Sequence, residues 1–344
     1  MSRAHKTLVY ALAGLALVGA LGAGAAALAL RGALEPAGPA DAEPVLFEVP
    51  RGTSLSAVAR RLEGQGLIRD ARALGLLARW RGQAERLHAG EYELTAAAAA
   101  GEILDTLVAG KVKHWEVAIP EGLRIEEIAA RLAGPGLVEA DAFIAFAWDP
   151  ANAEALGVAG PTLEGYLFPE TYRLPRGLST REVAKTLVDH FLQVWKTLEP
   201  LAGERGMDMR EVVTLASIVE KETGAAPERP LIAGVFHNRL KRGMRLESDP
   251  TTIYGIQGFD GNLTRAHLED GGNIYNTYKI PALPPGPIAS PGAAALRAVL
   301  EPAPTRYLFF VSRNDGTHVF ARSYAEHEQN VDRYQRSKRR KSRK

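Results

Sequence analysis

The first long apolar stretch of the chain runs from Leu8 to Leu30, 23 residues without a charged side chain. As a helix these residues would extend about 35 Å, enough to cross the roughly 30 Å hydrocarbon core of a bilayer. Arg3 and Lys6 precede the stretch and acidic residues follow Arg31, which favours a cytoplasmic N-terminus. The pattern predicts an uncleaved transmembrane anchor over residues 8–30, with a cleaved signal peptide as the alternative.

Two stretches behind the anchor repeat one pattern of apolar and glycine positions. Residues 31–44 are rich in Ala, Pro, Gly and acids and predict a linker. "VPRGTSLSAVARRLEGQGLI" (residues 49–68) then aligns without gaps to "IPEGLRIEEIAARLAGPGLV" (residues 119–138). Each copy predicts a short strand, a turn and an amphipathic helix that ends in Gly-x-Gly. Since two copies are too few for a solenoid, we expect two related α+β modules within residues 45–140.

The second half of the chain mixes helical and extended patterns. Apolar periodicity and capping residues predict helices over residues 179–198, 208–223, 230–241 and 291–300. Near the C-terminus, "RYLFFVSRNDGTHVFARS" predicts a β-hairpin with Asn314-Asp315-Gly316 in its turn. The expected fold is mixed α+β, with a second domain over residues 141–325 and a basic tail over residues 326–344.

The helix predicted over residues 208–223 carries two carboxylates to its apolar end. Asp208 and Glu211 have the spacing of an N-cap and capping box. At about 100° per residue, Glu222 falls inside the apolar arc that includes Val219, whereas Glu220 lies at the edge of that arc. A desolvated carboxyl has a raised pKa, as a general acid requires. The alternative is that Glu222 pairs with an arginine or turns to solvent.

Composition narrows the possible partners and chemistry. The chain has no cysteine, which excludes thiol nucleophiles and zinc–thiolate sites. The formal charge is +2, but the last seven residues hold six basic side chains, and without them the charge is −4. A surface of that charge does not suit nucleic acid, so we expect no nucleic-acid partner.

Several catalytic schemes lack their motifs in this chain. The sequence has no G-x-S-x-G, S-x-x-K, phosphate loop or H-E-x-x-H, and its eight histidines are scattered. His237 and His267 are expected to lie at the surface or in packing contacts. We expect neither a metal nor a cofactor. The remaining carboxylates, aromatic rings and amides suit the binding of sugar rings and the cleavage of an acetal.

Two resemblances follow from short motifs. Gly52-Thr53-Ser54-Leu55, between a predicted strand and helix, is similar to the opening of a LysM-like glycan-binding module, and a generic strand–helix unit is the alternative. "LEGYLFPETY", "LASIVEKETG", "VFHNRLKRGMRLESDPTTIYG" and "YNTYKIPALPPGPIASPG" occur in this order behind the predicted anchor. Together they resemble the YceG-like (MltG) family of endolytic murein transglycosylases, over nearly the whole chain up to about Arg322.

The resemblance implies a location and a reaction. A family member would be a lytic transglycosylase held in the cytoplasmic (inner) membrane by one helix, with its catalytic domain on the outer, periplasmic side. It would cut the MurNAc–GlcNAc β-1,4 bond of peptidoglycan and leave a 1,6-anhydro-MurNAc end. The expected partners are glycan strands, the lipid bilayer around residues 8–30, and peptidoglycan synthases.

The resemblance also implies one catalytic glutamate within the E-K-E-T run of residues 220–223. It does not by itself choose between the two acids; the helical phase favours Glu222. One carboxyl group suffices for a lytic transglycosylase because no water is activated, whereas a hydrolase needs two. A two-carboxylate hydrolase with Glu170 or Asp249 as the second acid, and a non-catalytic peptidoglycan-binding scaffold, are the alternatives.

Further side chains in these motifs are candidates for binding the glycan through aromatic stacking, hydrogen bonds or ion pairs. They are Tyr166, Phe168, Glu170, Glu220, Asn238, Arg239, Asp249, Thr251, Tyr254, Tyr275, Asn276, Tyr278 and Ser290. Arg239 in particular could pair with a carboxylate of the substrate through its planar fork. For the aromatic residues, core packing is the alternative.

Overall fold

The computed structural model describes the backbone of residues 3–336 and the side chains from residue 12 onward. The end of the predicted basic tail, residues 337–344, lies outside the described residues. The described chain belongs to two compact units: residues 1–115 with 175–177, and residues 116–174 with 178–344. Both combine helices with two-stranded sheets, so the mixed α+β class is confirmed.

The first unit begins with helix α1 (Arg3–Ala33). Its segment Leu12–Ala33 spans 22 residues. Among the described residues, this is the one helix that is long and apolar enough to cross a membrane. That finding is compatible with the predicted anchor, although a signal sequence has the same length and composition.

The rest of the first unit is a small α+β module. It comprises β1 (Val45–Val49), α2 (Leu55–Gly64), α3 (Ala71–Trp80), β2 (Gly90–Leu94) and α4 (Ala100–Val108). The strands β1 and β2 pair antiparallel, with Val45 opposite Leu94 and Val49 opposite Gly90. Alternate strand residues and one face of each helix form a single core, which includes Phe47, Leu62, Leu74, Tyr92 and Leu104.

The predicted linker, residues 31–44, is packed against this module. The N–H of Ala100 donates to the carbonyl of Leu34 at 3.0 Å, and the N–H of Gly38 donates to the carbonyl of Ala96 at 2.8 Å. Arg69 Nη1 also donates to the carbonyl of Gly32 at 3.2 Å. These hydrogen bonds hold the backbone at Gly32, Leu34 and Gly38 against the module, so this part of the segment is not a flexible linker.

The second unit contains most of the helices. Its elements are β3 (Trp115–Ile119), α5 (Ile125–Ala133), α6 (Ala140–Trp148), α7 (Pro150–Ala155), β4 (Glu170–Leu174), α8 (Thr180–Arg205), α9 (Met209–Glu222), α10 (Arg229–Lys241), α11 (Asp249–Tyr254), α12 (Arg265–Glu269), α13 (Ala293–Leu300), β5 (Phe309–Ser312), β6 (His318–Ala321) and α14 (Tyr324–Val331). Helix α9 packs against α8, α10, α11 and α13, which places it at the centre of the unit.

The repeat read from the sequence is a repeat of local structure. In both copies a glycine with positive φ follows the strand, Gly52 at 75° and Gly122 at 78°. A second such glycine follows the helix, Gly66 at 71° and Gly136 at 72°. Both positions use the left-handed region, which only glycine enters without steric cost. The shared glycine pattern therefore encodes two equal strand–turn–helix units.

The two copies nevertheless belong to different units, which differs from the predicted single region of residues 45–140. The strand of the first copy, β1, pairs with β2, whereas the strand of the second copy, β3, pairs with β4. Strand pairing therefore assigns the second copy to the unit that also holds α9. The LysM-like character of either copy stays a prediction.

The C-terminal part of the second unit consists of the predicted hairpin and a helix that follows it. β5 and β6 pair antiparallel from Phe309 opposite Ala321 to Ser312 opposite His318. Helix α14 and a π-helical turn over Asp332–Arg336 then pack against the hairpin. The first part of the predicted tail is thus helical.

Candidate active site

Helix α9 begins at the predicted capping box. Asp208 Oδ1 accepts a hydrogen bond from the N–H of Glu211 at 2.8 Å, and Glu211 Oε2 accepts one from the N–H of Asp208 at 2.9 Å. The helix then buries every residue from Val212 to Val219. It ends at Glu222, because Thr223 takes an extended conformation. A rigid, buried element therefore positions Glu222.

The Glu222 carboxyl is half-buried and hydrogen-bonded. Ser248 Oγ donates a hydrogen bond to Glu222 Oε1. Burial raises the pKa of Glu222 to about 7; the charge of Asp249 also raises it, while the Ser248 hydrogen bond and the positive charge of Arg239 lower it. A carboxyl with this pKa can both donate and accept a proton near neutral pH, as general acid–base catalysis requires.

Glu220, two residues earlier, is held in a structural network. Its side chain is 5% exposed, and its Oε1 accepts a hydrogen bond from Arg229 Nη2 at 2.9 Å. Its Oε2 accepts from the N–H of Gly292, the N-cap residue of α13, at 3.0 Å. Lys221 points elsewhere, with its Nζ donating to the carbonyl of Gly122 at 3.1 Å. Glu220 thus stabilises the start of α13, where unpaired N–H groups favour a negative charge.

Glu222 opens onto a cleft of about 400 Å³ within the second unit. The other lining residues come from three segments: the end of α10 with the turn before α11, the region of Tyr278, and the C-terminal hairpin with α14. They are Arg239, Leu246, Glu247, Asp249, Tyr278, Phe309, Phe310, Val311, Ser312, His318, Tyr324, His327 and Val331. Charged groups and aromatic rings both line this cleft, and side chains of these kinds can bind carbohydrate.

Asp249 supplies a second carboxylate to the cleft, at the first position of α11. The hydroxyl of Tyr278 donates to Asp249 Oδ1 at 2.7 Å. Behind it, Thr277 Oγ1 accepts from the N–H of Ser248 at 3.0 Å and lies 2.7 Å from Thr251 Oγ1. This buried network fixes the start of α11, so that Ser248 and Asp249 are held in place beside the end of α9.

Arg239 and Glu247 form an ion pair at the edge of the cleft, with Nη1 and Oε2 3.0 Å apart. Arg239 Nε donates to the carbonyl of Leu308 at 2.7 Å, and its Nη1 donates to the carbonyls of Arg245 and Leu246. Glu247 has a φ of 53°, a left-handed conformation that is uncommon for residues other than glycine. Arg239, expected to bind a substrate carboxylate, here holds the turn and the hairpin next to the cleft.

Of the predicted site residues, Glu222, Arg239, Asp249 and Tyr278 line the cleft. The rest lie outside it and have other contacts. Tyr166 packs against Phe191 and Phe168 against His190, Ser290 is fully buried, and Glu170 is exposed on β4. Asn238 donates to the carbonyls of Thr305 and Tyr307, and Asn276 donates to three carbonyls around α12. Thr251 and Glu220 belong to the hydrogen-bond networks described above.

Tyr254 and Tyr275 do not line the cleft and instead lie near the buried Glu164. The rings of the two tyrosines lie 4.6 Å apart, and the Tyr254 hydroxyl donates to Glu164 Oε2 at 3.2 Å. Glu164 is 2% exposed, and its Oε1 has no hydrogen-bond partner among the described residues. Burial first and the charge of Glu126 second raise the pKa of Glu164 to about 8, although Arg124 lowers it. Glu164 is therefore kept neutral inside the core.

Sequence reasoning missed one whole wall of the cleft. Ser248 and Glu247 are adjacent to the predicted Asp249, yet nothing in their local pattern indicates contact with Glu222. Phe309, Phe310 and His318 were predicted only as parts of a hairpin, Tyr324 only as part of the domain over residues 141–325, and His327 only as part of the tail. The sequence did contain one signal: two consecutive phenylalanines and, across the tight turn, a histidine. Aromatic residues on a short hairpin usually pack against another part of the protein, which could have indicated that the hairpin lies beside the site.

Comparisons with known proteins agree with the motifs quoted above. A model of the YceG-like family matches residues 47–333. An endolytic murein transglycosylase of Bacillus subtilis is 29% identical over 321 residues, covering 89% of each chain. One of Streptococcus pneumoniae is 30% identical over 329 residues; the match covers 86% of this chain but 59% of that protein.

A solved structure is similar as well. The crystal structure of a YceG-like protein from Listeria monocytogenes matches 83% of this chain and 98% of its own, with 30% identity and a TM-score of 0.57. The family model covers both units of the chain and all the elements that form the cleft. The chain therefore belongs to the YceG-like family.

Proposed function

We propose that the protein is an endolytic peptidoglycan lytic transglycosylase that uses Glu222 as general acid and then as general base. The observation that supports this most directly is a half-buried carboxyl with a pKa of about 7 on the wall of an aromatic and charged cleft. The relatives named endolytic murein transglycosylases supply the reaction and the substrate.

In the first step the protonated Glu222 donates its proton to the glycosidic oxygen between MurNAc and GlcNAc. The bond from that oxygen to C1 of MurNAc breaks, and GlcNAc leaves with the proton. Ser248 donates to Oε1 of Glu222, which leaves Oε2 as the oxygen that carries the proton into the cleft. A pKa of about 7 keeps roughly half of the enzyme protonated at neutral pH.

In the second step the Glu222 carboxylate removes the proton from the 6-hydroxyl of the same MurNAc. The oxygen of this hydroxyl bonds to C1 and closes the 1,6-anhydro ring. The proton returns to Glu222, so the enzyme is reset and no water is consumed. Because the same carboxyl acts twice, its pKa must lie close to the working pH rather than at the value of an exposed glutamate.

The neighbours of Glu222 tune this proton transfer. The negative charge of Asp249 favours the protonated acid before the first step, and the Ser248 hydroxyl stabilises the carboxylate that follows. The Tyr278 hydroxyl fixes Asp249 in its orientation. The ring of Tyr324 lines the cleft and is 62% exposed, so it offers an apolar face for stacking against a sugar ring.

The anchor belongs to the same proposal. Helix α1 would hold the protein in the cytoplasmic membrane by a single span, with the N-terminus inside and the rest of the chain after α1 on the outer side. The paired backbone of residues 32–38 would then keep the first module close to the end of that span. An enzyme held in this way would act on glycan strands near the membrane, where the synthases release them.

A two-carboxylate hydrolase is the second candidate, and one observation favours it: Asp249 and Glu247 line the same cleft as Glu222. Glu170, the other acid considered from the sequence, is exposed on β4 and does not line the cleft. A hydrolase would use Asp249 to attack C1 or to activate water. The competing contact is the hydrogen bond from the Tyr278 hydroxyl, which already occupies Asp249 Oδ1.

The products distinguish the candidates. We expect the full-length protein in detergent to cut isolated, uncrosslinked glycan strands into fragments with 1,6-anhydro-MurNAc ends, as measured by mass spectrometry. These ends are lighter by one water than reducing ends. Reducing ends would support the hydrolase with Asp249, and binding of strands without any fragments would support the non-catalytic scaffold. Reaction in labelled water checks the assignment, because only hydrolysis incorporates the label.

A further inference from the structure

The wall of the cleft formed by the C-terminal hairpin carries a histidine whose orientation is set by a carboxylate. His318 lines the same cleft as Glu222. Its Nδ1 lies 2.7 Å from Glu228 Oε2, and its backbone N–H donates to Glu228 Oε1 at 2.8 Å. Both side chains are nearly buried, with 12% and 13% exposed. One carboxylate thus holds both the backbone and the ring of His318.

The position of Glu228 connects this pair to the catalytic helix. Glu228 ends the short 3₁₀ turn that follows α9, and Thr223, directly after Glu222, lies 3.5 Å from Glu228 Oε2 through its hydroxyl. Phe310 supports the imidazole edge-on, with ring centroids 5.4 Å apart and planes at 89°. The ring is therefore constrained from two sides, and its remaining nitrogen, Nε2, has no hydrogen-bond partner among the described residues.

The chemistry of the pair determines what Nε2 can do. A carboxylate only accepts hydrogen bonds, so Nδ1 must carry the ring proton that it shares with Glu228. In the neutral imidazole Nε2 then has a lone pair and accepts a hydrogen bond. Sugar hydroxyls and the N–H of an N-acetyl group are donors of the matching kind.

We propose that His318 is a substrate-binding residue of the cleft: its Nε2 accepts a hydrogen bond from a hydroxyl or amide N–H of the glycan, and Glu228 is the positioning residue that fixes its tautomer. The inference rests on the proposed function, since it assumes that a glycan occupies the cleft beside Glu222. It adds the hairpin wall to a site whose reacting group lies on α9.

Replacing Glu228 by Gln tests the tautomer. The backbone N–H of His318 still requires an oxygen, so the amide oxygen must face it and the amide NH₂ must face Nδ1. Nδ1 then accepts, the ring proton moves to Nε2, and Nε2 becomes a donor that faces the donor of the substrate. The fold keeps an isosteric side chain, whereas the hydrogen bond to the glycan is lost.

The experiment measures binding without turnover. In the full-length Glu222→Gln protein in detergent, soluble uncrosslinked glycan strands are titrated by calorimetry. We expect His318→Ala and Glu228→Gln each to weaken binding about three- to ten-fold, the usual range for one hydrogen bond. Glu269→Gln, which removes the charge from an exposed pair with Arg265, is the matched control and should leave binding unchanged.

Two further results separate binding from a structural role. Adding Glu228→Gln to His318→Ala should weaken binding no further, because Glu228 acts through the ring. The ¹⁵N shifts of His318 should show an unprotonated Nε2 when Glu228 is intact and a protonated Nε2 in the Glu228→Gln variant. The inference would be overturned if His318→Ala bound the glycan as tightly as the parent protein. It would also be overturned if Glu228→Gln weakened binding just as much in the His318→Ala background. If Glu222→Gln still cut the strands, the proposed function itself would fail instead.

Discussion

Two regions of the second unit each hold a glutamate whose pKa is raised by burial. Glu222 lies at the end of α9, and burial raises its pKa to about 7. Glu164 lies in the core beside Tyr254, and burial raises its pKa to about 8. By the shift alone, Glu164 would be the stronger candidate for a general acid.

The surroundings reverse that order. Glu164 is 2% exposed, and its carboxyl accepts a hydrogen bond from the hydroxyl of Tyr254, which is itself buried. Glu222 instead lines a cleft large enough for sugar rings, with Asp249 and Ser248 beside it. A raised pKa shows that a carboxyl is desolvated, and only access to a ligand turns that property into catalysis.

The comparison is tested most strongly by replacing both glutamates in turn with Gln. Glu222→Gln keeps the shape of the side chain but removes the transferable proton, which general acid–base groups use to accelerate reactions about 10²–10⁴-fold. Since the proposed mechanism uses Glu222 as both acid and base, we expect a loss of about 10³-fold or more. Glu164→Gln should retain most of the activity. Release of anhydro ends from glycan strands measures both.

The assignment to Glu222 would be contradicted if Glu222→Gln kept its rate. It would also be contradicted if Glu164→Gln were the inactive variant while remaining folded. Melting curves of both variants at neutral pH serve as the control, because a loss of activity counts only if the protein remains folded.

Glu164 should instead reveal itself in the pH dependence of stability. Its folded pKa of about 8 exceeds its unfolded value, so the free energy of unfolding falls as pH rises from about 4.5 through about 8. Gln cannot ionise and avoids that loss. We expect Glu164→Gln to melt close to the wild type at pH 5 and to be more stable at pH 9, on the order of a few kcal/mol.

Chemical unfolding at the two pH values measures this difference. The prediction fails if Glu164→Gln gains no stability relative to the wild type between pH 5 and pH 9. Glu269→Gln, at an exposed position, again serves as the matched control and should show no such pH-dependent gain.

The smallest expected effect concerns Glu220, on the same helix as Glu222 but in an ion pair. Gln at this position still accepts from the N–H of Gly292, but it loses the charge that neutralises Arg229. Glu121 remains near Arg229 and compensates partly. We expect Glu220→Gln to lower the free energy of unfolding by about 1–2 kcal/mol and to reduce turnover far less than Glu222→Gln.

Denaturant unfolding with turnover on the same samples checks this expectation. An inactive but stable Glu220→Gln would overturn the division of roles between the two glutamates. The helical phase read from the sequence and the contacts of α9 would then both have been misinterpreted.

Local signals in the sequence were sufficient for many of the elements. The capping box at Asp208 and Glu211 forms as predicted, and the hairpin over residues 306–323 pairs across its Asn-Asp-Gly turn. The glycines of the repeat occupy matching left-handed positions. These features depend on interactions between residues a few positions apart, which the sequence shows directly.

The lining of the cleft depends on contacts that the sequence does not show. Tyr166 and Asn276 belong to motifs of the resemblance, but their side chains are buried in packing and in backbone hydrogen bonds. His318 lies in a plain hairpin, yet it meets Glu228, which is 90 residues earlier in the chain. A motif gives residue identity without direction, so it could not separate cleft residues from the residues that support them.

The sequence by itself determined the apolar helix at the N-terminus, the repeated α+β units, the family and the helix that carries Glu222. The elements follow from periodicity and glycine positions along the chain, and the family follows from the resemblance of four motifs. Only the tertiary structure decided that Glu220 stabilises α13 while Glu222 lines a cleft, and that the hairpin lines the same cleft. The physical reason is that desolvation, ion pairing and access arise from packing between distant segments, and no local pattern encodes them.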